Sequence, residues 1–133
     1  MASIRSAGIF AVCIFAAALS VPTHAQESSA RKELKRVDLS GAPGMEVVSS
    51  ISEYKPGEVL GLHFHHGVEA GYALQGAMVQ APGKEPMMLP TGAPVMNLRD
   101  VVHGGFKIVG DTPLKLFTVH IVDKGKPLYD WVK

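Results

Sequence analysis

Residues 57–76 read GEVLGLHFHHGVEAGYALQG, and the spacing inside this stretch sets how the rest of the chain is read. His63, His65 and Glu69 fall within seven residues, between Gly57 and Gly76, two glycines that mark turns. Side chains alternate faces along a strand, so His63 and His65 point the same way and His66 points to the other face. Gly67 reads as a turn, which sets Glu69 on the next strand, able to return to the same pocket. Two imidazoles and a carboxylate converging in this way make a candidate site for one first-row metal ion. A buried carboxylate without a partner is costly, which favours that reading over separate structural roles.

The wider chain fits one small domain. It has 133 residues and a formal net charge of +1, so neither a basic nor an acidic bias points to a partner. No Lys/Arg-rich face or interleaved aromatic stripe is visible, and nucleic acid is not expected. Residues 1–25 read as a secretory signal: Arg5 supplies the positive end, Ile9 to Val21 the apolar run, and Thr23-His24-Ala25 the cleavage site. A membrane span needs about 20 apolar residues, more than this run supplies, so no stable anchor is expected once the signal is removed. The only cysteine, Cys13, leaves with it, and the mature chain holds no disulfide. The expected location is periplasmic or secreted.

Residues 26–44 are polar and end in a Gly/Pro cluster, which reads as an arm that orders only by docking on the barrel or a partner. The charged run Arg31 to Arg36 reads as a solvated face. From residue 45 to 133 short apolar runs are cut by Gly and Pro. Strands are predicted over 46–53, 58–66, 68–75, 77–81, 86–89, 93–97, 101–109 and 114–122, with little helix. Many short, evenly spaced strands predict an all-β sandwich or barrel.

The order Gly57, five residues, His63-x-His65, three residues, Glu69, six residues, Gly76 resembles the first motif of the cupin family at every fixed position. Gly92 and His103 keep the spacing of the family's second motif. Leu98, Asp100 and Lys107 stand where the family usually has Pro, Gly and Asn. The resemblance covers nearly all of the mature chain. It implies a double-stranded β-helix, or jelly-roll barrel, with His103 as a fourth metal ligand beside His63, His65 and Glu69. It also implies one divalent transition ion (iron, manganese, nickel, copper, cobalt or zinc) and a homodimer. The pattern is similar to that of small, quercetin-dioxygenase-like members. The implied activity is therefore a mononuclear non-heme dioxygenase-like oxidoreductase acting on a small oxygen-bearing organic molecule, with Glu69 also serving as a catalytic base. Two alternatives stay open: a metal-assisted isomerase or lyase acting on a sugar acid or similar compound, and a periplasmic metal- or ligand-binding module without turnover.

Other residues carry weaker signals. His120, in the run KLFTVHIV, reads as a satisfied core or rim histidine, with substrate binding or proton transfer as the alternative. Met78, Met87, Met88 and Met96 read as adaptable core filling rather than as soft copper ligands. Tyr72 and Leu74, on the face opposite Glu69, are expected to pack between sheets or at a subunit contact. Asp100 reads equally as an acceptor for a ligand histidine or as a turn residue, and Lys107 as a solvated charge or a cavity cation. Tyr129 and Trp131 are expected to cap the barrel or lie in a dimer contact.

Overall fold

The computed structural model describes residues 30–133, and every element in that range is a strand. The proposed signal, residues 1–25, lies outside the described residues. Two long strands carry the cleanest period-two pattern. These are β2 (Met45–Tyr54) and β10 (Leu114–Asp123), each with every second residue buried. They pair antiparallel with each other, and β10 pairs on its other side with β5 (Gly67–Gln75). Adding β1 (Lys32–Asp38) and β8 (Pro94–Asn97) gives a five-stranded sheet in the order β1-β2-β10-β5-β8.

A second sheet has four strands: β3 (Val59–Leu60), β9 (Phe106–Val109), β6 (Ala77–Gln80) and β7 (Met87–Leu89). The core fills the gap between the two sheets. Tyr54, Ala73, Leu114 and Leu116 from the first meet Leu60, Ala77, Val79 and Ile108 from the second. The chain crosses from β5 to β6 at Gly76, the jelly-roll corner. A third, two-stranded piece pairs β4 (His63–Phe64) with β11 (Asp130–Trp131).

Several expectations are corrected here. The predicted strand 58–66 breaks at Gly61-Leu62, so that β3 and β4 serve different sheets. The predicted strand 101–109 begins only at Phe106, and before it His103 makes a single bridge with His63. Gly67 opens β5 rather than forming a turn. A side chain there would strike the Ile121 carbonyl oxygen at 2.0 Å, so β5 and β10 can meet closely only at glycine. The polar arm, by contrast, orders as expected by docking: it contains β1, which pairs with β2 and is tied to it by the Arg36–Glu46 ion pair. Its residues are exposed throughout, as expected of a solvated charged run. Met87, Met88 and Met96 are 63%, 56% and 64% exposed, so the core-filling role does not hold for them.

Register lays the inner face of the large sheet out in rows. Val48, His120, Glu69 and Asn97 form one row across β2, β10, β5 and β8. Ser50, Thr118, Gly71 and Val95 form the next, and Ser52, Leu116 and Ala73 the third. The rows run from a polar end of the barrel toward its apolar core.

Candidate metal centre

His63, His65, Glu69 and His120 are buried, with at most 6% of each exposed, and His103 is half-buried at their edge. Strand alternation turns His63 and His65 inward together, as the sequence pattern requires. His103 arrives on the loop after β8. That loop is pinned by the Asp100 N–H donating to the His65 carbonyl and by a two-pronged Arg99–Asp123 pair. Paired backbone bonds between His63 and His103, at 3.0 and 2.8 Å, then fix the two rings side by side. Gly104 follows at φ +83, where a side chain would meet the Gly61 carbonyl oxygen at 2.5 Å.

The ring nitrogens explain what the cluster is suited to hold. His63 Nδ1 lies 2.8 Å from the Gly61 carbonyl, His65 Nδ1 2.5 Å from that of Leu128, and His103 Nδ1 2.9 Å from that of Val101. A carbonyl oxygen only accepts, so each Nδ1 carries a proton and each neutral ring offers its Nε2 lone pair. His65 Nε2 is 3.1 Å from His103 Nε2 and 3.2 Å from Glu69 Oε2, while His103 Nε2 is 3.6 Å from the same oxygen. Three acceptors at these distances repel unless a proton or a cation lies among them. Asn97 donates to Glu69 Oε2 at 2.6 Å and holds the carboxylate in place.

His120 adds a fifth donor. Its Nε2 is 3.4 Å from Glu69 Oε1, without hydrogen-bond geometry, and neither of its ring nitrogens has a hydrogen-bond partner among the described residues. Ligand atoms of His63, His65 and His103 all lie within 4.8 Å of one another, and so do those of His65, Glu69 and His120. The donor set, the imposed tautomers and the orphaned His120 nitrogens all fit a divalent transition ion. The structure thus contains a His/Glu cluster able to hold a metal ion.

Electrostatics set neutral His63 and His120 beside an ionised carboxylate. Burial lowers His63 to about 4 despite its bond to Gly61, and burial lowers His120 to about 4 despite Glu69 nearby. Burial also acts to raise Glu69, but His103 and His65, which hydrogen-bond it whenever a proton sits on Nε2, the approach of His120 and the Asn97 N–H outweigh it. The carboxyl is held well below its usual range. For His103, burial acts downward and is outweighed by Glu69 and the Val101 carbonyl, so its affinity for a proton is raised.

The structure therefore brings together His63, His65, Glu69 and His103, the four expected ligands. His66 faces away, 3.1 Å from Asp130 and 3.5 Å from Asp100. Asp100 is a turn residue at φ 58, and its carboxylate lies beside His66 rather than beside the ring of a cluster histidine. It adopts the left-handed backbone that Asp tolerates better than most residues, at a position where the family usually has Gly. Lys107 lies exposed on the outer surface beside a separate pocket.

Sequence reasoning missed Asn97, gave His120 a satisfied role that its nitrogens, unpartnered among the described residues, contradict, and gave Tyr129 only a capping or dimer role. His120 was legible in the alternation Leu114, Leu116, Thr118, His120, Val122, which points it inward with the core. Asn97 depends on its register opposite Glu69. Tyr129, buried 4.9 Å from the His63 ring and 5.0 Å from that of His65, is delivered by the C-terminal tail, where no pattern marks it. Trp131 stacks on Tyr129, so these two aromatics do cap the barrel.

No family model and no curated protein matches the sequence. Solved structures do match. An uncharacterised conserved protein with a double-stranded β-helix domain, from Klebsiella pneumoniae subsp. pneumoniae, aligns at a TM-score of 0.57 and 14% identity, over 81% of this chain and 90% of that one. A cupin-like protein from Thermotoga maritima aligns at 0.49 and 20% identity, over 77% and 74%. The polyketide cyclase RemF from Streptomyces resistomycificus aligns at 0.49 and 20%, over 70% and 63%. Together with the observed strand order, the first of these matches defines the fold as a double-stranded β-helix.

Proposed function

We propose that this protein is a metal-dependent enzyme of the small-cupin type, a dioxygenase-like oxidoreductase acting on a small oxygen-bearing organic molecule. The observation that carries this reading is the convergence of three acceptor atoms, His65 Nε2, His103 Nε2 and Glu69 Oε2, at 3.1–3.6 Å in a buried site. His63, His65, Glu69 and His103 hold the ion, with His120 beside them. When bound, the ion supplies Lewis acidity and, if redox-active, electrons for dioxygen chemistry. Glu69 Oε1, the oxygen not bonded to Asn97, faces His120 and takes a proton from the substrate. The apolar walls and the Tyr129–Trp131 cap exclude bulk water.

The same carboxylate supports a second, oxygen-independent reading, in which proton transfer by Glu69 drives isomerisation or elimination. Turnover in air and under anaerobic conditions separates the two. The founding test is elemental analysis of residues 26–133 beside a His63→Ala/His103→Ala variant. Near-stoichiometric metal that is lost in the variant supports the reading. Absence of metal in both, even after reconstitution, leaves only a binding module.

The signal-like residues 1–25 support a periplasmic or secreted location. Tyr72, Leu74 and Met96 stand 50%, 46% and 64% exposed on the outer face of the large sheet, which supports a homodimer through that face.

A further inference from the structure

Above the histidines lies a cavity of about 190 Å³. Leu60, Leu89, Val95, Phe106, Leu116 and Tyr54 form its walls. His63, Glu69, Asn97 and His103 close one end, and Ser52 and Thr118 add hydroxyls along the large sheet. A cavity of about 150 Å³ accommodates benzene, so this volume suits a molecule built on one ring or a short branched chain. Among the described residues lining it, none is a lysine or an arginine. Lys107, the nearby cation that the sequence left open for anion binding, is on the outside.

Ser52 is the second observation. It is 2% exposed and lines this cavity, and its hydroxyl has no hydrogen-bond partner among the described residues. Buried hydroxyls are ordinarily paired, so one left open on a cavity wall waits for a ligand or a water. Its place in the register is also informative. Ser52 pairs with Leu116, four residues along β10 from His120, which is itself opposite Glu69. Four residues of strand span about 13 Å between backbone positions. The cavity thus has a metal-binding end, an apolar middle and a hydroxyl farther along.

We propose that the substrate is a mainly apolar molecule of about single-ring size, with an oxygen donor at one end and a hydrogen-bonding group at the other, which Ser52 receives. The oxygen donor's role rests on the metal-enzyme reading above, whereas the size, apolar character and Ser52 contact rest on the cavity alone. Sugar acids are poor candidates, because their chain of hydroxyls would be desolvated among apolar walls with only Ser52 and Thr118 to meet it.

The test titrates the metal-reconstituted protein with 4-hydroxybenzyl alcohol, 4-methylphenol and gluconate, by calorimetry and by Trp131 fluorescence, with metal content assayed on the same samples. Both phenols are expected to bind, with gluconate at least about 10-fold weaker. Ser52→Ala, which removes one atom from a buried site, should weaken 4-hydroxybenzyl alcohol by about 2–10-fold and leave 4-methylphenol unchanged. Gluconate binding as tightly as the phenols, failure of both phenols to bind metal-loaded protein, or equal effects of Ser52→Ala on both phenols would overturn the proposal. Phenol binding with the Ser52 discrimination intact in protein that takes up no metal would sink the metal-enzyme reading while supporting this one.

Discussion

The two ends of the barrel interior are equally buried but are held by opposite physics. At one end Tyr54, Ala73, Ile108 and Leu114 are each at most 2% exposed, and their burial is favourable without any guest. At the other, His63, His65, Glu69 and His120 are buried to a similar degree, and their desolvation is offset only in part by bonds within the protein. The contrast teaches that the apolar end folds the barrel, and that the polar end is a cost which an ion held there would offset.

The largest expected effect breaks the comparison from the apolar side. Leu114→Ala removes a fully buried side chain and should destabilise the protein by about 2–5 kcal/mol, read by denaturant unfolding, with the stoichiometry of bound metal in the folded fraction unchanged. A loss of metal equal to that of a ligand variant would mean the two ends are not separable.

Acid attacks the polar end alone. His63 and His120 have folded values near 4, below the 6.5 of an ordinary histidine, so between these limits the unfolded chain binds more protons than the folded one. Stability of the metal-free protein should therefore be full above about pH 6.5 and fall as pH drops toward 4, by on the order of 3 kcal/mol for each imidazole. His103 titrates in the opposite sense, because its raised affinity for a proton favours the folded state at low pH and is lost on raising pH through its folded value. Glu69, held low, keeps its contribution until pH falls below the ordinary carboxylate range. A flat stability profile from pH 7 to 4 would show these rings to be solvated rather than buried.

His103→Ala should cost about 10–100-fold or more in metal affinity, measured by competition with a chelator, and change the stability of the metal-free protein little, since the residue is only half-buried. The smallest effect sharpens the boundary of the site. His66→Ala should leave metal content unchanged and shift stability by less than about 0.5 kcal/mol, because that ring lies outside the cluster, against Phe64, Asp100 and Asp130. A marked loss of metal there would reverse the strand phase on which the site rests.

Much of this was legible in the sequence because alternation is a local rule. Once 58–66 is read as extended, His63 and His65 share a face whatever the rest of the chain does. The fold followed from the same short, punctuated runs. What was not legible depends on pairing between distant segments. The break at Gly61-Leu62 arises because β3 is claimed by β9 and β4 by β11. β1 exists as a strand only because β2 offers it an edge. The exposed methionines were misread because hydrophobicity alone does not say which face of a sheet is covered.

The histidine orientations carry a consequence for how this site withstands change. All three Nδ1 partners, at Gly61, Val101 and Leu128, are main-chain carbonyls. Every residue type presents the same oxygen, so substitutions at these three positions leave the acceptor in place so long as the chain keeps its path. The aim of the imidazoles is written into the course of the backbone, and mutational drift can rewrite much of the surrounding sequence while the geometry able to hold an ion stays as it is.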